Sequence, residues 1–185
     1  MKTRSRMAEF ETRTREDGAK VIRCYFVVFG AVYQIAPDLT ETVAPGAFDL
    51  ERDNDVRALT DHVSHLVLGR TTAGTLKLGV DDKGLWGEIT INEDDQDALN
   101  LYARVQRGDV SQCSFGFDIL DEERLTPVDG VIQFIIRGVE LYEVSIVTFP
   151  AYEETSAQVR NADAADMADR LESWKADMRG KLRAK

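Results

Sequence analysis

The chain has 185 residues, 43% of them apolar and 30% charged, with a net charge of −10 at pH 7. That length and balance fit one soluble domain with a substantial core and a short tail. No apolar run approaches the roughly 18–20 residues that span a bilayer, and the negative charge argues against a general nucleic-acid binder, whose affinity comes from neutralising phosphates.

The opening stretch, MKTRSRMAEFETRTRED, is charged and lacks the apolar segment of a secretory signal. Residues 21–33, VIRCYFVVFGAVY, are dense in β-branched and aromatic side chains and predict a long strand bent at Gly30. APGAFD follows, with Pro45 and Gly46 marking a turn that opens a short helix. Residues 57–62 predict a short strand ending near His62. In GTLKLGVDDKGLWGEITI, Leu76, Leu78 and Val80 alternate, DDKG turns the chain, and Leu85, Ile89 and Ile91 alternate back, which is a hairpin.

Residues 92–107 carry helix signals: Asn92 as cap, acidic residues early, Arg104 and Arg107 late, and Gly108 after the end. Ala98, Leu101, Tyr102 and Val105 share one face of that helix. The helix feeds DVSQCSFGFDI, residues 109–119, which reads as a strand. A return strand over 131–139 follows the DG turn at Asp129 and Gly130, and 141–148 makes the last strand before Pro150. From Asn161 the composition shifts to Ala, Asp, Lys and Arg. Met167, Leu171, Trp174, Met178 and Leu182 then recur at helical spacing. The predicted organisation is a mainly antiparallel β domain with a few helices over 1–160 and an amphipathic helix or tail over 161–185.

The chain contains two histidines, His62 and His65. Histidine is the usual acceptor of a proton from a serine or cysteine nucleophile, because its ordinary pKa lies near neutrality. His62, at a strand end, is favoured over His65 in the following loop. A zinc site would need three or four ligands, and HVSH supplies two with nothing to complete them at a recognisable spacing, so no metal or cofactor is expected. The two cysteines, Cys24 and Cys113, are no disulfide framework and suit a reducing compartment. Cys113 shares strand parity with Phe115, Phe117 and Ile119, the apolar set. Ser114 shares parity with Gly116 and Asp118, on the more open side. Periodicity therefore favours Ser114 over Cys113 as a nucleophile. Glu143, inside an apolar strand, is costly unless paired. It either holds the catalytic imidazole or bridges an arginine such as Arg137, and spacing alone does not separate the two.

Together VAPGAFD, HVSHLVLGRTTAGTLKL, GDVSQCSFGF and LYEVSIVTFPAY, in that order over residues 20–155, resemble the prohead (capsid maturation) serine proteases of tailed bacteriophages. The resemblance carries the family's histidine onto His62, its serine onto Ser114 and its acidic residue onto Glu143. It departs at Val63, where the family often has a polar residue, and His65 is an additional histidine. That family is in turn similar to the herpesvirus assemblin proteases, which implies an α+β fold, a mainly antiparallel β-barrel flanked by helices. It also implies a Ser-His-Glu endopeptidase acting through an acyl-enzyme inside the assembling prohead in the host cytoplasm. The implied substrate is the scaffold protein or the scaffolding segment of the major capsid protein. A homodimer is implied by the same likeness, and the C-terminal helix is a candidate for assembly contacts or self-cleavage. Two other readings of the same residues are a catalytically inactive capsid-assembly module and a cysteine hydrolase using Cys113.

Overall fold

A computed structural model of the chain describes residues 1–36, 38–125 and 131–149. Strands β1 (Lys2–Met7), β2 (Glu11–Thr14) and β3 (Lys20–Val28) come first, then β4 (Tyr33–Ala36), β5 (Leu39–Val43), β6 (Arg57–Thr60) and β7 (Val67–Arg70). The hairpin β8 (Leu76–Val80) and β9 (Gly84–Thr90) leads to helix α1 (Gln96–Arg107) and the long strands β10 (Gln112–Leu125) and β11 (Ile132–Val147). The chain divides into units Met1–Ala151 and Tyr152–Lys185. The second unit, the boundary expected near residue 160, the amphipathic tail helix and the DG turn at Asp129 and Gly130 all lie outside the described residues.

The long pair β10 and β11 forms the spine of a seven-stranded sheet. β1 pairs antiparallel with β10 on one side, Ser5 lying opposite Ser114. On the other side β11 is long enough to take two parallel partners in succession. β5 runs along Ile132–Ile136 and β6 along Glu143–Ile146. β4 extends this sheet beyond β5 and β7 extends it beyond β6. The second sheet is antiparallel, in the order β2-β3-β9-β8.

The barrel with flanking helices is not what the chain forms. The described residues make two separate sheets, the larger one mixed rather than antiparallel, and a single helix. Closure requires every edge to find a partner, and β1, β4 and β7 end the larger sheet while β2 and β8 end the smaller. The parallel ladders arise because residues 44–56 carry the chain from one half of β11 to the other. The short helix expected in APGAFD is replaced by turns. Gly46 takes a left-handed φ of 85° there, and the segment is too brief to nucleate a helix.

Other local differences have simple causes. The strand expected over 21–33 breaks after Val28, where Gly30 adopts φ 70°. Helix α1 starts four residues later than expected because Asp95, not Asn92, caps it, accepting from the amides of Asp97 and Ala98. Asn92 instead accepts from Asp94 N–H in a preceding turn. The two strands expected over 131–148 are one continuous strand.

The core lies between the sheets. Phe115 and Phe117 stack at 4.6 Å between ring centroids, Phe48 meets Phe115 edge-on, and α1 adds Ala98, Leu101, Tyr102 and Val105. One ion pair sits inside it. Arg4 of β1 donates from Nε to Glu41 of β5 at 2.6 Å, both side chains almost fully buried. Removing one partner of such a pair strands the other charge. Arg4→Met should therefore lower unfolding free energy by about 3–5 kcal/mol in denaturant titration, whereas Arg4→Met with Glu41→Leu should recover most of the loss.

Candidate active site

Strand parity sets the site. On β10, Cys113, Phe115 and Phe117 face the core, so Ser114 and Gly116 face the other way. In register on β11, Ser145 lies opposite Ser114 and Glu143 opposite Gly116. β11 inserts one additional residue, Tyr142, between the partners of Gly116 and Phe117. This bulge lets Leu141 and Val144, three residues apart, both reach the core, and it explains why the apolar residues of this strand fail to alternate.

The histidine arrives from β6. That strand ends at Thr60, opposite Ile146. The next two residues, Asp61 and His62, both adopt left-handed backbone, with φ of 50° and 61°. The imidazole then meets Glu143, Nδ1 to Oε1 at 2.7 Å. The other carboxylate oxygen, Oε2, accepts from Ser145 Oγ at 2.5 Å. Glu143 is 4% exposed and Ser145 is fully buried. A carboxylate at Nδ1 fixes the proton there and leaves the Nε2 lone pair free. Nε2 is buried and makes no hydrogen bond in this structure.

Gly116 is small for a specific reason. A Cβ at that position would come within 2.4 Å of Glu143 Oε1 and 2.9 Å of Met1 Sδ. The space beside it therefore holds the carboxylate, not a vacant substrate groove. Ser114 is fully buried and its Oγ donates to the Arg4 carbonyl at 3.0 Å. His62 and Glu143 are thus joined directly. Ser114 stands on the neighbouring strand, on the same face as the carboxylate, with its hydroxyl held by β1.

The other candidates fall elsewhere. Cys113 points into the core, Sγ–H donating to the Tyr25 carbonyl at 3.3 Å, on the face opposite Ser114. Burial, and secondarily the adjacent Cys113, pushes the Cys24 thiol well above its ordinary range, as expected of inert thiols. His65 is exposed. Arg137 pairs with Glu123 rather than Glu143. Arg70 is engaged by Asp55 at 2.6 and 2.8 Å, which pulls that carboxyl down to about 2. Among the described residues no group of three or more His, Cys, Asp or Glu side chains is arranged to hold a metal, and no helix is long and apolar enough to cross a membrane. Ser145 escaped the sequence reading. Its signal was present in Glu-Val-Ser, since residues two apart on a strand share a face.

An imidazole oriented by a buried carboxylate, beside a strand carrying a serine, is a serine-hydrolase type of arrangement. Residues 8–170 match the caudovirus prohead serine protease family, and the chain belongs to that family of serine proteases. The prohead protease of Enterobacteria phage HK97 is 26% identical over 174 residues, covering 93% of this chain and 75% of that protein. The family expected from the four sequence blocks is thereby borne out. No solved structure matches the chain.

The contact between Gly116 and Glu143 is open to direct test. Gly116 has no left-handed backbone requirement, so alanine fits the strand but displaces the carboxylate. Gly116→Ala should leave a folded protein by circular dichroism, destabilised by about 1–3 kcal/mol, with proteolysis slowed about a hundredfold.

Proposed function

We propose that the protein is the endopeptidase that cleaves the scaffold protein, or the scaffolding segment of the major capsid protein, inside the assembling prohead. Ser114 is the nucleophile, His62 the general base and Glu143 the residue that orients it. The observation that carries this reading is the His62–Glu143 hydrogen bond at 2.7 Å, made on the strand next to Ser114. It puts the free Nε2 lone pair on the imidazole nitrogen that must receive the serine proton.

In the reaction Ser114 Oγ attacks the scissile carbonyl while its proton passes to His62 Nε2. The imidazolium so formed is stabilised by Glu143, and the proton is given to the leaving amine as the peptide C–N bond breaks. Water then repeats the sequence on the acyl-enzyme and frees Ser114. Ser145 keeps the second oxygen of Glu143 satisfied throughout, so the carboxylate does not turn away from the imidazole. Before attack, the Ser114 hydroxyl has to leave the Arg4 carbonyl, a rotation about one side-chain bond. Enclosure of enzyme and substrate in one shell raises their effective concentration, which suits a protease whose nucleophile is covered at rest.

Co-expression with the phage's own capsid and scaffold precursors tests the assignment by gel analysis of cleavage. Ser114→Ala and His62→Ala should each lower turnover by ~10⁴–10⁶. Glu143→Gln should also lower it severely, and Cys113→Ala should leave it within about threefold after any stability loss is corrected. Ser145→Ala removes one hydrogen bond to a charged group and should cost about 10- to 100-fold, with Ser145→Thr restoring most of it. Full cleavage by Ser114→Ala would refute the serine mechanism.

A further inference from the structure

We infer that Asp61 is a positioning residue for the His62 base, acting as a latch between the histidine turn and the end of β11. The inference rests on the reading of His62 as general base. Residues Thr60 to Val63 form a β-turn closed by Val63 N–H donating to the Thr60 carbonyl at 2.9 Å. Both central residues, Asp61 and His62, have positive φ, at 50° and 61°. Turns of this kind favour Asn-Gly or Asp-Gly, because a side chain in left-handed backbone costs roughly 1–2 kcal/mol. Aspartate suits the first position. Histidine at the second, where glycine is usual, carries a cost that surrounding contacts must offset.

Beside the bond of His62 to Glu143, three such contacts belong to Asp61. Its N–H donates to the Ile146 carbonyl at 3.0 Å, extending the β6–β11 pairing by one step. Its Oδ1 accepts from Thr148 N–H at 2.6 Å and its Oδ2 from Thr148 Oγ1 at 3.1 Å. Ile146 and Glu143 belong to β11, and Thr148 directly follows it. The latch therefore ties the histidine to the strand that carries its carboxylate partner, so the imidazole and Glu143 keep one frame of reference. Asp61 and Thr148 are exposed, where a hydrogen bond adds little to global stability. Their geometry matters through the direction in which it sends the His62 side chain.

The test uses the whole chain and phenylmethylsulfonyl fluoride. In that reaction Ser114 Oγ forms a bond to sulfur, the S–F bond breaks, fluoride leaves, and the serine proton passes to His62. The maximal inactivation rate and the half-saturating reagent concentration are measured separately, beside cleavage of the co-expressed capsid precursor. Asp61→Gly removes both carboxylate bonds to Thr148, keeps the backbone bond to Ile146 and relieves the left-handed strain at that position. It should retain the wild-type melting temperature within a few degrees while inactivation and cleavage slow about 10- to 100-fold at unchanged half-saturation. Asp61→Asn keeps the turn preference and one acceptor for Thr148 N–H, and should recover to within about threefold of wild type.

Wild-type rates in both Asp61→Gly and Asp61→Ala would overturn the latch and leave the protease reading untouched. A large fall in the melting temperature of Asp61→Gly, with activity per folded molecule unchanged, would assign Asp61 to the fold and overturn it equally. A wild-type protein that neither cleaves the precursor nor is sulfonylated at Ser114 would remove the reading on which the latch depends.

Discussion

A carboxylate buried in the middle of a sheet is the constraint around which this molecule is arranged. Glu143 stands in a strand covered on both sides by neighbouring strands and is almost removed from water. An unpaired carboxylate there would be too costly to keep. Each neighbour can be understood as an answer to that cost. His62 takes one oxygen, Ser145 takes the other, and Gly116 gives up its side chain to make the volume. The same bond that makes the carboxylate tolerable also orients the imidazole, as the proposed mechanism requires. Stability and the proposed chemistry thus use one set of hydrogen bonds, and the fold cannot relax them without leaving a buried charge unpaired.

The spine formed by β10 and β11 places these groups by register alone. Antiparallel pairing sets Ser114 beside Ser145 and Gly116 beside Glu143, and the parallel partner β6 delivers the histidine from the other side of β11. Running parallel to β11, β6 starts opposite Glu143 and ends opposite Ile146, and the turn that follows carries His62 back to the carboxylate. The mixed sheet, of which no local pattern in the residues is a sign, is the feature that brings His62 to Glu143.

Much of this was legible in the residues, for identifiable reasons. The hairpin of β8 and β9 and the face of α1 follow hydrophobic periodicity, and Cys113 was separated from Ser114 by strand parity. What stayed hidden depended on tertiary partners. β1 and β2 have no periodic apolar pattern, because β1 hides a charged residue, Arg4, against Glu41, a partner 37 residues away. β11 concealed its continuity behind the Tyr142 bulge. The left-handed conformation of His62 has no signal in the residues around it and is set by long-range contacts, its own bond to Glu143 and those of Asp61 to Ile146 and Thr148. Local chemistry announces an element, and long-range pairing decides how it is used. The expected barrel failed on that second ground.

The bond between Ser114 and the Arg4 carbonyl joins positions 110 residues apart. During synthesis the first strand leaves the ribosome long before the strand it will lie against exists. β11 then supplies the carboxylate and the docking edge for β6 later still. On the proposed assignment, a partly made chain consequently lacks the strands that would bring serine, imidazole and acid together. By that same assignment the site is completed only when nearly all of residues 1–147 have emerged, a delay that comes from the order of the strands.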